Sequence, residues 1–304
     1  MSDDAENTQS TAVNTDPVGS FETLGHELRL AVIKQLAARQ RANEWEPISM
    51  SFGDLRAAVG ADDSGQFNYH LSKLVGPYVE QTDEGYVLTP AGYEVSAAVL
   101  AGSHAESEIG PVEGALGYDC PLCETRLRAH YDDGYVSVLC PEDGYLFGNT
   151  VPPAAVVGHD IETVVILAVQ DLQRTVETAA AGVCPECYSN VKTTLPTESP
   201  RLTGDTYRSE DGVYARFECD YCGLTFDTRA ATVILGHPAV VSFYYDHDVD
   251  VRERGYTETK DTVETVLSED PPRTQVELNF EDDRLVAVLD GDARLVEAER
   301  QTTN

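Results

Sequence analysis

The segments FETLGHELRLAVIKQLAARQ (residues 21–40), SFGDLRAAVG (51–60) and DDSGQFNYHLSKLVG (62–76) decide the fold of the N-terminal region. Their apolar residues recur at three- and four-residue steps, the period of an amphipathic helix. The segment YVEQTDEGY (78–86) follows, and its central Asp-Glu-Gly predicts a β-hairpin. Threonine and proline at 89–90 are typical of the start of a further helix. The predicted order is therefore helix, helix, helix, hairpin, helix.

Two serines mark where the first helices should begin. Ser20 precedes the first apolar stripe, which predicts one continuous helix from Phe21 to Gln40. Ser51 precedes the second stripe, and Asp54 stands three residues later, as in a capping box in which aspartate replaces glutamate. Both helices are therefore expected to have one apolar face that packs on a core.

The third helix separates apolar from polar positions. Phe67, Leu71 and Leu74 follow each other at steps of four and three and are expected to point inward. The residues that this leaves on or near the outer side are Gln66, Asn68, Tyr69, His70, Ser72 and Lys73.

This arrangement resembles the ArsR-like winged helix-turn-helix transcriptional regulators of halophilic archaea. The resemblance rests on LGHELRLAVIKQL (24–36), on the SFGDLR and FNYHLSKL helices, and on GYVLTPAG (85–92), and it covers roughly the first hundred residues. In such regulators the third helix lies in the major groove, the wing touches the backbone or the minor groove, and the flanking helices form a dimer.

The resemblance implies double-stranded DNA as a partner and a homodimer as the binding species. It implies DNA contacts by Gln66, Asn68, Tyr69, His70 and Lys73 of the third helix and by Thr82 of the wing. The alternative is an ordinary helical domain whose polar residues are merely solvated.

The charge of the chain is unusual for a DNA-binding protein. The whole chain has 21 basic and 53 acidic residues, a formal net charge of −32, and between residues 47 and 90 two basic residues stand against six acidic ones, a net charge of minus four. DNA-binding surfaces are normally basic, because neutralising phosphates supplies much of the affinity. Such a composition resembles that of proteins from a molar-salt cytoplasm, where the Debye length is about 3 Å. We therefore expect contacts by shape, hydrogen bonds and bound cations.

Seven cysteines indicate metal binding rather than disulfides if the protein is cytoplasmic. Cys184 and Cys187 form one CxxC pair, and Cys219 and Cys222 form another about thirty residues later. Four thiolates brought together by two such pairs suit tetrahedral zinc, so we predict a zinc ribbon here. Unmetallated thiols are the alternative, and a redox role would require a strand and a helix on either side of the pair.

A second set of potential ligands is incomplete. Cys120 and Cys123 form a CxxC pair, but Cys140 is followed by Asp143 where a fourth cysteine would be expected. Asp143 could bind zinc through oxygen, and His130 is a looser candidate. Alternatively, this ribbon has lost its metal and kept its fold.

The sequence as a whole predicts an α+β protein. The N-terminal winged helix-turn-helix is followed by two zinc-ribbon-like β units joined by a helix, and the tail alternates as an antiparallel meander would. The predicted divisions are an acidic disordered tail (1–18), a winged-helix DNA-binding domain (19–106), a linker (107–117), a degenerate zinc-ribbon-like unit (118–151), a connecting helix (152–182), a zinc ribbon (183–228) and C-terminal helices with antiparallel strands (229–304).

Several classes of function are not indicated. The sequence has no apolar run of the roughly 20 residues that span a bilayer, no signal peptide, no nucleophile elbow, no phosphate loop and no HExxH motif. We therefore expect a cytoplasmic transcriptional regulator without enzymatic activity, whose zinc-stabilised C-terminal region senses a signal or binds a partner. The alternative is an adaptor resembling a general transcription initiation factor, which would contact polymerase or promoter without selecting a sequence.

Overall fold

The computed structural model describes residues 17–40, 49–102, 109–120, 122–197, 212–253, 262–280 and 282–302. The chain combines helices with antiparallel sheets, in agreement with the predicted α+β class. It divides into two compact units between residues 105 and 106. Almost all of the predicted disordered tail, residues 1–16, lies outside the described residues. Within the described ranges, no helix is both long enough and apolar enough to cross a bilayer.

The described residues of the first unit form five helices and one hairpin. Its elements are α1 (Pro17–Leu24), α2 (Glu27–Gln40), α3 (Phe52–Ala58), α4 (Ser64–Leu74), β1 (Val79–Thr82), β2 (Gly85–Leu88) and α5 (Pro90–Ala101). The strands β1 and β2 pair antiparallel, and Thr82 lies opposite Gly85 across a two-residue turn. Met50, which precedes α3, forms a bridge with Tyr86 of β2, a pairing that the sequence patterns did not predict.

The predicted helix starts are confirmed at Ser51 and Thr89, and the structure adds a cap at Asp63 that was not predicted. The Ser51 side chain accepts the Asp54 N–H at 3.1 Å. Asp63 caps α4 by accepting the Gly65 N–H at 2.7 Å, and Thr89 caps α5. Because these side chains accept N–H groups that have no partner within the helix, they define where the helices begin.

The prediction of a single first helix is wrong. Two helices replace it, and Ser20 lies within α1 instead of capping it. The chain turns at Gly25 and His26, where the His26 N–H donates to the Leu24 carbonyl at 2.6 Å. The Nδ1 atom of His26 then accepts the Leu28 N–H at 3.1 Å. The His26 side chain therefore accepts a hydrogen bond at the start of α2, just before Glu27. Apolar periodicity alone does not predict this break between α1 and α2.

The core of the first unit lies between α2, α3, α4 and the hairpin. It consists of Val32, Ile33, Leu36, Ala37, Leu55, Phe67, Leu71, Leu74, Tyr78, Val79 and Leu88. The inward positions predicted for the third helix are all buried in this core.

Within the part of the second unit that the structure describes, the strands form three antiparallel sheets, each with its strands in chain order. The strands are β3 (Val112–Asp119), β4 (Arg126–Asp132), β5 (Tyr135–Cys140), β6 (Gly144–Thr150), β7 (Lys192–Thr194), β8 (Tyr214–Glu218), β9 (Thr225–Arg229), β10 (Val263–Glu269), β11 (Pro272–Phe280), β12 (Asp283–Asp290) and β13 (Leu295–Thr302). The helices are α6 (Ile161–Ala180), α7 (Ala230–Val233) and α8 (Pro238–Tyr245). The predicted C-terminal meander is confirmed by the sheet β10 to β13.

The predicted linker at 107–117 is wrong over its second half, which belongs to β3. Two of the glycines that indicated a linker, Gly114 and Gly117, are instead packing positions. A Cβ atom on Gly114 would lie 2.9 Å from Cγ2 of Ile161, and the Gly117 N–H donates to the Glu162 carboxylate at 3.2 Å. Glycine is therefore required here because α6 packs closely on the strand.

The helix α6 joins two separate cores. Its first half, including Ile161, Val165 and Val169, packs with β3 to β6. Val176 and Ala179 pack instead in the core formed by β8, α7, α8 and the C-terminal sheet. The apolar stripe predicted for the connecting helix is thus buried within the chain.

Glu264 on β10 holds the C-terminal sheet to its neighbours. Its carboxylate accepts the Val213 N–H at 2.6 Å and the Ala231 N–H at 2.8 Å, and Arg229 Nε lies 3.4 Å away. Burial raises the pKa of Glu264, whereas Arg229 and the two backbone donors oppose that rise. The carboxylate is therefore a buried acceptor for two backbone N–H groups and a partner of Arg229, which also donates to Thr262 at 3.0 Å.

Replacing Glu264 with alanine is expected to destabilise the second unit by about 3–5 kcal/mol, because it leaves a largely buried guanidinium and two N–H groups without this acceptor. Denaturant unfolding of the full chain measures the loss. The exposed Glu269 of the same strand is the control, and its replacement with alanine should change stability by no more than about 0.5 kcal/mol. Equal effects of the two substitutions would contradict this role for Glu264.

Candidate metal centres and nucleic-acid interface

Four cysteines of the second unit converge at one point. One potential ligand atom from each of Cys184, Cys187, Cys219 and Cys222 lies within 4.8 Å of the others. The Sγ atoms of Cys184 and Cys222 are 3.6 Å apart, and so are those of Cys187 and Cys219. We refer to these four residues as the four-cysteine cluster. The predicted grouping is confirmed, and the cluster could hold a metal ion.

The two loops of the four-cysteine cluster have the same backbone geometry. The Cys184 N–H donates to the Ser189 carbonyl at 2.7 Å, and the Cys219 N–H donates to the Leu224 carbonyl at 2.9 Å. The residue after each second cysteine has a positive φ, +59° at Tyr188 and +80° at Gly223. Glycine adopts this conformation readily, whereas tyrosine does so at a cost. Each loop therefore turns tightly enough to direct both of its cysteines at the same point.

Backbone donors stabilise a thiolate within the four-cysteine cluster. The N–H groups of Cys222 and Tyr221 lower the pKa of Cys219 to about 7. Metal ions bind the thiolate form of cysteine, so this group loses its proton to a metal most easily.

A second convergence occurs in the sheet β3 to β6. The ligand atoms of Cys120, Cys123, Cys140 and Asp143 also lie within 4.8 Å of one another. The Asp143 Oδ2 atom is 3.2 Å from Cys120 Sγ and 3.3 Å from Cys140 Sγ, and the sulfurs of Cys123 and Cys140 are 3.4 Å apart. We refer to these residues as the cysteine-aspartate cluster, which could also hold a metal ion.

Asp143 occupies the position that a fourth cysteine would have. Gly144 follows it with φ +80°, as Gly223 follows Cys222, and Glu124 follows Cys123 with φ +59°. His130, the looser candidate, lies on β4 outside this group. Hydrogen bonds from Cys123, Cys120 and Cys140 lower the pKa of Asp143, so its carboxylate is ionised at neutral pH. These are the only two clusters of potential metal ligands among the described residues.

Most of the predicted DNA contacts lie on an exposed face. Gln66, Asn68, Tyr69 and Lys73 are exposed on α4, and Thr82 is exposed at the end of β1. Tyr69 is 58% exposed, and Lys73 Nζ lies 5.8 Å from the centre of its ring. Amide, phenol and ammonium groups are thus presented together to solvent.

The prediction that His70 lies on the outer side of the helix is wrong, because its side chain is buried. Its ring is 7% exposed and lies 3.8 Å, centre to centre, from the ring of His26. Position 70 is three residues after Phe67 and four before Leu74, so the helical period itself assigns it to the inner face. The polarity of histidine concealed this, and His70 leaves the set of candidate contacts.

Burial lowers the pKa of His70, and His26 and Arg29 act in the same direction. Below the ordinary pKa of about 6.5 the unfolded chain therefore binds more protons than the folded one, so His70 makes the first unit less stable as pH falls below that value. Titration of the ring protons by NMR should give His70 a lower pKa in the folded chain than in the chain unfolded by denaturant. A pKa for His70 in the folded chain equal to or above that in the unfolded chain would contradict this.

Comparisons with known proteins identify two families on this chain. The family described as Domain of unknown function (DUF7347) matches residues 17–99, and the one described as Domain of unknown function (DUF7351) matches residues 117–295. The two matches fall on either side of the division between the compact units. No curated protein and no solved structure matches the chain. Because its model covers more than half of the chain and includes both clusters, the protein belongs to the DUF7351 family.

Proposed function

We propose that this protein is a DNA-binding transcriptional regulator of the ArsR-like winged-helix type. In this proposal it binds promoter DNA as a homodimer in the cytoplasm. Its C-terminal unit, stabilised by zinc, senses a signal or binds a partner. The observation that carries the proposal is the exposed polar face of α4, which is followed directly by a β-hairpin.

The architecture of the first unit supports this proposal. A helix that recognises bases in the major groove must be held firmly by a core on one side and be accessible to DNA on the other. Phe67, Leu71 and Leu74 anchor α4 in the core, while Gln66 and Asn68 remain exposed. Amide side chains can form paired hydrogen bonds with adenine in the major groove.

The β-hairpin also supports the proposal, because it follows α4 as the wing of a winged-helix domain does. Thr82 and the turn after it are exposed, and Thr82 Oγ1 donates to the Gly85 carbonyl at 3.1 Å. The bridge from Met50 to Tyr86 ties the hairpin to the segment before α3. A rigid hairpin held in this way can rest against the DNA backbone while the helix lies in the groove.

The acidity of this unit implies that DNA binding depends little on attraction between opposite charges. The exposed Asp62 and Asp63 stand at the start of α4, and Lys73 is the only basic residue of that helix. In molar salt these charges act over only about 3 Å. Affinity must then come from hydrogen bonds, shape and cations bound between protein and phosphate.

Zinc is the metal that the ligands suit best. Four cysteines at a single point match a structural tetrahedral site, and three cysteines with one carboxylate match a variant of it. The thiolates disfavour the harder cations, calcium and magnesium, which prefer oxygen ligands. In this proposal the four-cysteine cluster therefore serves stability.

Selection of genomic fragments by the purified full chain in molar potassium chloride tests the regulator proposal. We expect a small set of fragments with a shared, two-fold symmetric sequence. Recovery of fragments without a common sequence would contradict sequence-selective regulation. Binding of purified RNA polymerase to the same chain, measured in a separate assay, would favour the adaptor.

A further inference from the structure

We infer that the cysteine-aspartate cluster is an exchangeable metal site, and that loss of its ion loosens the first half of α6. The inference rests on the proposed binding of zinc and goes beyond it by separating the two clusters. In this view the four-cysteine cluster holds its ion permanently, whereas the cysteine-aspartate cluster gains and loses an ion as the concentration of free metal changes.

The ligand atoms differ between the clusters in one position only. The loops are alike in backbone, but Asp143 offers a carboxylate oxygen where the four-cysteine cluster offers the Cys222 sulfur. Zinc and softer metals bind thiolate more strongly than a single carboxylate oxygen. The bond from Asp143 is therefore the weakest that the two clusters can form.

Water can reach that weakest bond. Cys120 and Cys140 are 2% exposed, whereas Asp143 is only partly buried, on the turn between β5 and β6, and Cys123 is exposed. Cys222, at the matching position of the four-cysteine cluster, is exposed as well, so the two clusters differ in the ligand atom and not in the access of water. A water molecule can therefore displace the carboxylate while the two buried sulfurs still hold the ion. The resulting open position is the feature that distinguishes reactive zinc sites from closed ones.

The cluster is continuous with the core that holds α6. Cys120 and Cys140 belong to the same buried cluster as Ile161, Val165 and Val169. The second half of the helix, at Val176 and Ala179, packs in the other core. Without metal, the sheet β3 to β6 loses the crosslink between its two cysteine loops, so the first half of α6 loses support and the second half keeps it.

The test uses the full chain loaded with zinc and challenged with excess EDTA. Metal release is followed by elemental analysis, and amide hydrogen exchange is followed in residues 165–169 and 176–180. Asp143→Cys completes the sulfur set. Asp132→Cys, at an exposed position of β4, controls for an added thiol.

We expect one ion per chain to leave at least about tenfold faster than the other, since changes around a metal alter affinity by about 10–100-fold. Amides at 165–169 should exchange faster after the first ion leaves, and those at 176–180 should not. Asp143→Cys should abolish the fast release, and Asp132→Cys should retain it.

Three results would overturn the inference while leaving zinc binding intact: release of both ions at one rate, fast release unchanged in Asp143→Cys, or unchanged exchange at 165–169. A chain that binds only one ion would overturn it as well. A chain that binds no zinc at either cluster would instead refute the zinc part of the proposed function and the inference with it.

Discussion

Replacing Gln66 and Asn68 together with alanine is expected to lower the affinity for the selected operator by at least about 30-fold, because each amide that reads a base contributes about 1–3 kcal/mol of discrimination. Affinity for unrelated DNA should change little, since these side chains read bases and not phosphates. Binding titrations with both DNAs in molar potassium chloride measure the two effects.

The control for this double variant is Gln170→Ala, which removes an exposed amide from α6 in the other unit. It should bind the operator as the unchanged protein does. Circular dichroism of the double variant should be unaltered, because both replaced side chains are exposed on α4. Equal affinity for the operator before and after the double replacement would refute the proposed reading face.

Replacing Cys184 with serine is expected to remove one zinc ion per chain and to unfold β7 to β9. Apparent zinc-binding free energies of about 10–16 kcal/mol in small peptides show how much a structural ion can contribute to folding. These strands form a short three-stranded sheet in which β7 has only three residues and only β8 contributes fully buried residues, Ala215 and Phe217, to the core of the second unit. Elemental analysis and amide hydrogen exchange measure the two losses.

The first unit should remain helical in Cys184→Ser, because its core contains no residue of the second unit. Ser189→Ala, in the same loop but outside the ligand set, is the control and should keep both the ion and the sheet. An unchanged metal content and melting profile in Cys184→Ser would contradict a structural role for the four-cysteine cluster.

Local signals in the sequence predicted much of this structure. Ser51 and Thr89 cap helices as expected, because a side-chain oxygen next to a free N–H is a strictly local interaction. The two-residue turn after Thr82 and the C-terminal meander also depend on neighbouring residues. The spacing of the cysteines predicted both clusters, since each CxxC loop brings its own ligands together.

Some of the errors concern contacts between distant segments. Gly114 was interpreted as part of a linker, but it is small because Ile161 packs against it, a contact that has no signature within one segment. The choice between Asp143 and His130 as the fourth ligand likewise required the turn geometry. His70 is a different error, because the helical period of α4 alone places it on the inner face, where its ring lies against that of His26.

The central claim is that α4 selects a DNA sequence despite the acidity of the chain. The most direct measurement is the ratio of affinities for a selected fragment and for an unrelated fragment of equal length, both in molar potassium chloride. The account predicts that the selected fragment binds at least about 1,000-fold more tightly, the lower end of the range for specific DNA-binding proteins. Equal affinity for the two fragments would contradict it.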